Sequence, residues 1–175
     1  MTEQFFRDVD WGELDILILD LPPGTGDIQL TLTQKLRMTG AVIVTTPQDI
    51  ALADVRKGAD MFRKVNTPVL GVVENMSGLT IDGKTNPNNL SLQINGEQIS
   101  VDSEGSFSIS IDLFKTGGGE KESERLGVPL LGKIPISEKI MSSTDAGTPL
   151  TAQNKINDIG EIYLDIANQI LSVIK

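Results

Sequence analysis

Four continuous apolar runs constrain the fold of this chain more than any other feature. The runs contain many β-branched residues, end at turn signals, and cover residues 14–21, 41–46, 68–73 and 128–134. A strand that is apolar on both faces belongs to a parallel sheet with helices packed on each side. The sequence therefore predicts an α/β fold, in which a mostly parallel sheet is flanked by helices.

The segments between these runs have helical spacing. Helices are predicted over residues 27–38, 50–65, 120–126 and 150–174, with Asp49 as the N-cap of the second. The last helix is expected to close on the sheet through one apolar stripe, which consists of Ile156, Ile159, Tyr163, Ile166, Ile170 and Ile174. Alternating strands and helices indicate right-handed crossovers within a single domain over residues 1–175.

Residues 77–114 break this alternation. Turn signals such as Asn95-Gly96 separate short runs in which apolar and polar residues alternate, for example residues 90–94 and 107–111. This pattern is typical of antiparallel β-hairpins with one buried face. We expect an antiparallel insertion that projects from the α/β body.

Composition excludes several kinds of chemistry. The net charge of −9 disfavours nucleic acid and anionic membranes as partners. The chain has no cysteine and no histidine, which excludes disulfides, thiolate nucleophiles, Cys/His zinc sites and histidine bases. The first residues do not have the form of a signal peptide, and no apolar run is long enough to span a bilayer. The expectation is a soluble, acidic, cytoplasmic protein.

The polar residues that follow the predicted strands form one candidate site. Ligands of open α/β sheets bind beyond the carboxyl ends of the strands, where this chain places Asp20, residues 45–49, Glu74-Asn75 and Pro135. Asp20 ends a strand and precedes Pro-Pro-Gly-Thr-Gly-Asp, which is the form of a Walker B aspartate that holds Mg²⁺. An aspartate that caps the next turn is the simpler alternative.

Two glycine-containing segments resemble phosphate loops. Residues 127–133 approach the P-loop pattern, but Ile134 stands where a hydroxyl is needed and the segment is predicted to be a strand. Residues 117–119 are three glycines before a helix, which suits an anion site. The acidic Glu120 and Glu122 favour a flexible connection there instead. The chain therefore has a Walker B candidate without a Walker A loop.

Several long strings closely resemble the Mrp/ApbC family of MinD-like P-loop ATPases, which carry and transfer iron–sulfur clusters. The strings are LDILILDLPPGTGD, GAVIVTTPQDIALADVRKG, VLGVVENMS, GGGEKESERLGVPLLGKIP and DAGTPL. The resemblance implies a MinD-like fold, binding of ATP and Mg²⁺, ATP hydrolysis, and a homodimer that hands clusters to apoproteins.

The same resemblance implies a role for individual residues. Asp20 and Asp27 would be catalytic, with Asp20 also the metal ligand. The segment from Pro22 to Asp27 would be the switch that follows the Walker B residue. Asn75 would bind the adenine, and Pro135 and Ile136 would line the base pocket. The residues implied to bind the nucleotide are Pro22, Gly24, Thr25, Gly26, Thr46, Pro47, Gln48, Asn75, Pro135 and Ile136.

The chain departs from the family pattern in two ways. It lacks the Walker A loop with its lysines, so it resembles an incomplete, C-terminal portion that is expected to bind ATP weakly or not at all. It also carries Gly78-Leu79-Thr80-Ile81 where cluster carriers have Cys-x-x-Cys. The leading interpretation is an Mrp-type iron–sulfur cluster carrier or assembly ATPase. The alternatives are a MinD/ParA-like positioning or regulatory ATPase, and a non-catalytic interaction protein that uses the hairpins.

Overall fold

A computed structural model describes residues 8–21, 27–86, 91–94, 96–114, 116–153 and 157–174. Its helices are α1 (Asp27–Lys35), α2 (Asp49–Lys64), α3 (Gly118–Leu126), α4 (Glu138–Asp145) and α5 (Asp158–Ile174), with a 3₁₀ turn at Leu150–Ala152. Its strands are β1 (Ala41–Thr45), β2 (Val69–Lys84), β3 (Leu92–Ile94), β4 (Glu97–Ile99), β5 (Ser106–Ile111) and β6 (Leu130–Ile136).

The long strand β2 organises the sheet. Its first half pairs in parallel with β1 on one side and with β6 on the other. Its second half pairs antiparallel with β5, from Leu79 opposite Ile111 to Lys84 opposite Ser106. The strands β3 and β4 form a separate antiparallel hairpin. The predicted fold class is thus confirmed, including the antiparallel insertion.

Each face of the sheet has its own core cluster. Helix α2 packs on β1 and α3 packs on β2, and their cluster contains Ala41, Ile43, Ala59, Met61, Phe62, Val72 and Leu126. Helix α5 packs on β6 over the other face, where Val73, Leu131, Ile134 and Ile166 are buried together. Successive residues of a strand point to opposite faces, so the neighbours Val72 and Val73 contribute to different clusters.

The prediction of a buried strand over residues 14–21 is wrong. The segment has no strand pairing, and most of its apolar side chains are exposed, with Ile18 at 85%. Only Leu21 packs, partly buried, against the cluster beneath α2. A strand needs a hydrogen-bonded neighbour, and none of the described strands pairs with this segment. An apolar run without such a neighbour remains irregular.

Two further expectations about helix ends are corrected, and one helix was not predicted. Gln48 rather than Asp49 precedes α2 as the N-cap, and Asp49 is the first helical residue. The last helix starts at Asp158, and within it Ile166 is buried whereas Tyr163 is exposed. Ile156 of the expected stripe lies outside the described residues. Helix α4 was not predicted, although the Ser137 hydroxyl accepts a hydrogen bond from the Lys139 amide as an N-cap.

In the described part of the chain, every helix is too short or too polar to cross a membrane.

Candidate functional site

The carboxyl ends of β1 and β6 lie beside the middle of β2, which continues to Lys84 and does not end at Glu74-Asn75 as the sequence predicts. Thr45 pairs with Glu74, Glu74 pairs with Lys133, and Asn75 pairs with Ile134. Most of the predicted strand-end residues therefore share one edge of the sheet: Thr46, Pro47 and Gln48 after β1, Asn75 within β2, and Pro135 and Ile136 at the end of β6. We name this set the carboxyl edge.

Asp20 lies outside the sheet. Its side chain is exposed in the irregular segment that precedes α1. The switch residues Pro22, Gly24, Thr25 and Gly26 lie outside the described residues. Asp27 begins α1, and the structure describes its backbone only. The catalytic and metal-binding roles of Asp20 and Asp27 stay predictions.

Asn75 is held by a local hydrogen bond. Its Oδ1 accepts from the Met76 amide at 2.9 Å, and Met76 has a left-handed φ of 55°. The pairing of β2 with β6 shifts register between Asn75 and Leu79, which marks a bulge beside the half-buried asparagine. The bond orients the side-chain amide and uses one lone pair of Oδ1. The second lone pair and the two N–H donors remain to recognise a ligand.

Thr46 carries a buried hydroxyl without a hydrogen-bond partner among the described residues. The neighbouring Thr45 hydroxyl donates instead to the Thr46 carbonyl at 3.1 Å. Buried hydroxyls are rarely left unsatisfied, because their desolvation is costly. The Thr46 hydroxyl therefore marks a place where a bound polar group would be stabilised.

The three glycines at the start of α3 are packed, so the flexible connection expected there is wrong. Gly117 has φ 73°, and Gly118 and Gly119 are buried in the first turn of α3. A Cβ at Gly118 would lie 2.7 Å from the Pro47 carbonyl oxygen, and one at Gly119 would lie 2.7 Å from Glu74 Cβ. Only glycine allows these approaches without displacement.

The anion at the start of α3 is a carboxylate of the protein itself. The Gly119 amide donates to Glu74 Oε2 at 2.6 Å, and Glu74 is only 2% exposed. An external phosphate could not use that amide without displacing Glu74. Glu74 was expected at a strand end, and no role was predicted for it. The sequence signal for this contact is a carboxylate directly before Asn75, together with the three glycines at residues 117–119.

The other candidate phosphate loop, residues 127–133, is also excluded. Residues 130–133 belong to β6, as the sequence predicts. The Lys133 ammonium donates to Glu120 at 2.7 Å. This hydrogen bond, together with the negative charges of Glu120, Glu74 and Asp112, raises the pKa of Lys133 above its ordinary value. Lys133 is therefore already paired with a carboxylate of the protein.

An ion-pair cluster around the buried Glu122 joins α2 to α3. Glu122 is fully buried and accepts from Arg125 at 2.6 Å and from Arg56 at 3.4 Å. Arg125 also contacts Asp60 at 3.4 Å, and its hydrogen bond with Glu122 raises the pKa of the guanidinium. This cluster was not predicted, because its only local signal is the spacing of Glu122 and Arg125 on one helix face.

The carboxyl edge fits the base end of a nucleotide better than its phosphate end. It offers the amide of Asn75, the unpartnered hydroxyl of Thr46 and the half-buried apolar surfaces of Pro135 and Ile136. A triphosphate would need cations or several amides, whereas Lys133 and the Gly119 amide are already paired. No group of three or more acidic residues in the described ranges is arranged to hold a metal ion.

Comparisons with known proteins identify the family of the chain. A family profile for the NUBPL iron-transfer P-loop NTPases, of the ParA group, matches residues 1–113 and 106–171. An iron–sulfur cluster carrier protein from Deinococcus radiodurans is 47% identical over 84% of this chain and 35% of its own length. The iron–sulfur cluster transfer protein NUBPL from Mus musculus is 38% identical over 99% of this chain and 47% of its own length.

A solved structure is similar as well. The nucleotide-binding protein of Archaeoglobus fulgidus, in complex with ADP, has a TM-score of 0.58 and 35% identity, and the match covers 83% of this chain and 51% of that one. The chain spans about a third to a half of the length of the curated relatives it matches. The resemblance to Mrp-type proteins is confirmed: the chain belongs to the NUBPL family of iron-transfer P-loop NTPases.

Proposed function

We propose that this chain provides the base-binding edge and the Walker B aspartate of an ATP-hydrolysing iron–sulfur cluster carrier. The observation that carries the proposal is the carboxyl edge. Asn75 and Pro135 lie there on the paired strands β2 and β6, and Thr46 follows β1 with a buried hydroxyl that has no partner among the described residues. The ADP complex of the Archaeoglobus fulgidus relative and the names of the curated relatives support it. ATP and the cluster are substrate and cargo in this proposal.

Each residue of the proposed site has a distinct task. Asn75 binds the adenine, Pro135 and Ile136 line the base pocket, and Thr46, Pro47 and Gln48 contact the nucleotide beside it. Asp20 holds Mg²⁺, which neutralises charge on the phosphates when bound. The segment from Pro22 to Asp27, with Gly24, Thr25 and Gly26, is the switch that senses the γ-phosphate. We propose that the protein works in the cytoplasm as a homodimer that passes clusters to apoproteins.

We expect the site to prefer ATP over GTP by about tenfold, the usual discrimination of one bidentate asparagine. Adenine presents a ring-nitrogen acceptor beside an amino donor, which matches the Nδ2 donor and the second Oδ1 lone pair of Asn75. Guanine presents two acceptors there. Calorimetric titration of both nucleotides measures the preference in a family-length version of the protein, meaning one that also supplies a phosphate loop.

Two variants test the role of Asn75. Asn75→Ala should reduce the preference for ATP to about threefold or less, since the edge-specific contact is lost. Gln98→Ala, an exposed amide on β4, is the matched control and should leave it unchanged. A preference that survives in Asn75→Ala would show that another residue reads the base.

A positioning or regulatory ATPase remains the second candidate, because the chain contains no cysteine. Iron–sulfur clusters are usually held by thiolates, so the ligands of a carried cluster must come from outside these 175 residues. After anaerobic reconstitution, iron and sulfide retained by the family-length version would support the carrier, and we expect none in the chain alone. A family-length version that hydrolyses ATP but retains no iron would favour the second candidate.

A further inference from the structure

Glu74 is a buried carboxylate at the point where β2 reaches the carboxyl edge. It is 2% exposed, and its Oε2 accepts the Gly119 amide at 2.6 Å. Burial of a carboxylate is costly unless hydrogen bonds and favourable charges compensate for it. The amide and the positive end of the α3 dipole provide that compensation.

The contacts of Glu74 join three separate parts of the site. Through β2 it is continuous with Asn75, and in the sheet it lies opposite Thr45 on one side and Lys133 on the other. Through Gly119 it holds the first turn of α3. The adjacent Gly118 packs against the Pro47 backbone so closely that a Cβ there would lie 2.7 Å from the Pro47 oxygen. One carboxylate therefore sets how the loop after β1 lies relative to the middle of β2.

We propose that Glu74 is a positioning residue for nucleotide binding: its hydrogen bond to Gly119 holds α3 against Pro47 and so sets Thr46 and Asn75 at their binding distance. This inference rests on the function proposed above. Glu74 does not contact the base itself, since Glu74 and Asn75 are consecutive strand residues and point to opposite faces. The inference also gives Glu74 no role in binding the metal.

The hydrogen bond, rather than the volume of the side chain, is the essential feature. Leucine would fill a similar space and avoid the cost of a buried charge, yet it would leave the Gly119 amide without an acceptor. Glutamine has the same length as glutamate and still accepts through its side-chain oxygen. A role in filling volume alone would therefore tolerate leucine, whereas a role through the hydrogen bond would tolerate only glutamine.

The test compares Glu74→Gln and Glu74→Leu in the family-length version by ATP titration and steady-state hydrolysis. We expect Glu74→Leu to raise Kd and KM for ATP about tenfold, which corresponds to the loss of one hydrogen bond to a charged group, with kcat within about twofold. Glu74→Gln should stay within about threefold of the unsubstituted protein. Glu124→Leu, an exposed glutamate on α3, is the matched control.

Each outcome decides the proposal. Unchanged ATP affinity in a folded Glu74→Leu protein would overturn it, as would equal losses in the glutamine and leucine variants. If Glu74→Leu does not fold, Glu74→Asp takes its place, because its shorter side chain withdraws the carboxylate from Gly119. Failure of the unsubstituted protein to bind ATP would instead overturn the proposed function, and this inference with it.

Discussion

Replacement of Asp20 by alanine is expected to abolish Mg²⁺-dependent ATP hydrolysis in a family-length version of the protein. The proposed task of this carboxylate is to hold Mg²⁺ beside the phosphates, and loss of one such electrostatic contact lowers kcat by about a hundredfold or more. The exposed position of Asp20 outside the sheet means that its removal leaves the core intact. Hydrolysis is measured as phosphate release, with circular dichroism as the check on folding.

Asp15 provides a matched control for this experiment. It is another exposed aspartate in the same irregular segment, and it has no proposed role. Asp15→Ala should hydrolyse ATP at the unsubstituted rate. Unchanged turnover in Asp20→Ala would refute the Walker B assignment and would favour the simpler view that Asp20 belongs to a turn.

Replacement of Arg125 by methionine is expected to lower the free energy of unfolding by about 3 to 5 kcal/mol. Arg125 is the closest partner of the fully buried Glu122, and its removal leaves that carboxylate with Arg56 alone at 3.4 Å. A buried charge without its main partner is among the most destabilising defects in a protein core. Urea-induced unfolding measures the loss.

Two further variants separate the ion pair from general packing. Arg56→Met should cost about 1 kcal/mol or less, because the Arg56 side chain is 52% exposed and its contact with Glu122 is long. The double variant Arg125→Met with Glu122→Leu should regain most of the lost stability, since no buried charge remains. A double variant as unstable as Arg125→Met would show that the ion pair is not the cause.

The sheet and its helices could largely be predicted from local patterns. Strands β1, β2 and β6 start within two residues of the predicted runs, because continuous apolar residues demand burial on both faces. The order of these strands also brought Thr46, Asn75 and Pro135 to one edge. In contrast, the contact between Glu74 and Gly119 joins positions 45 residues apart, and no local pattern encodes it.

The amino-acid sequence by itself determined the α/β class, the lack of thiolate ligands and the family, because periodicity, composition and long motifs are properties of the chain alone. The tertiary structure decided whether residues 14–21 pair as a strand, why Gly118 and Gly119 must be glycine, and which anion lies at the start of α3. Strand pairing and close packing depend on which distant segment is the neighbour. That choice is made by the whole fold and not by local spacing.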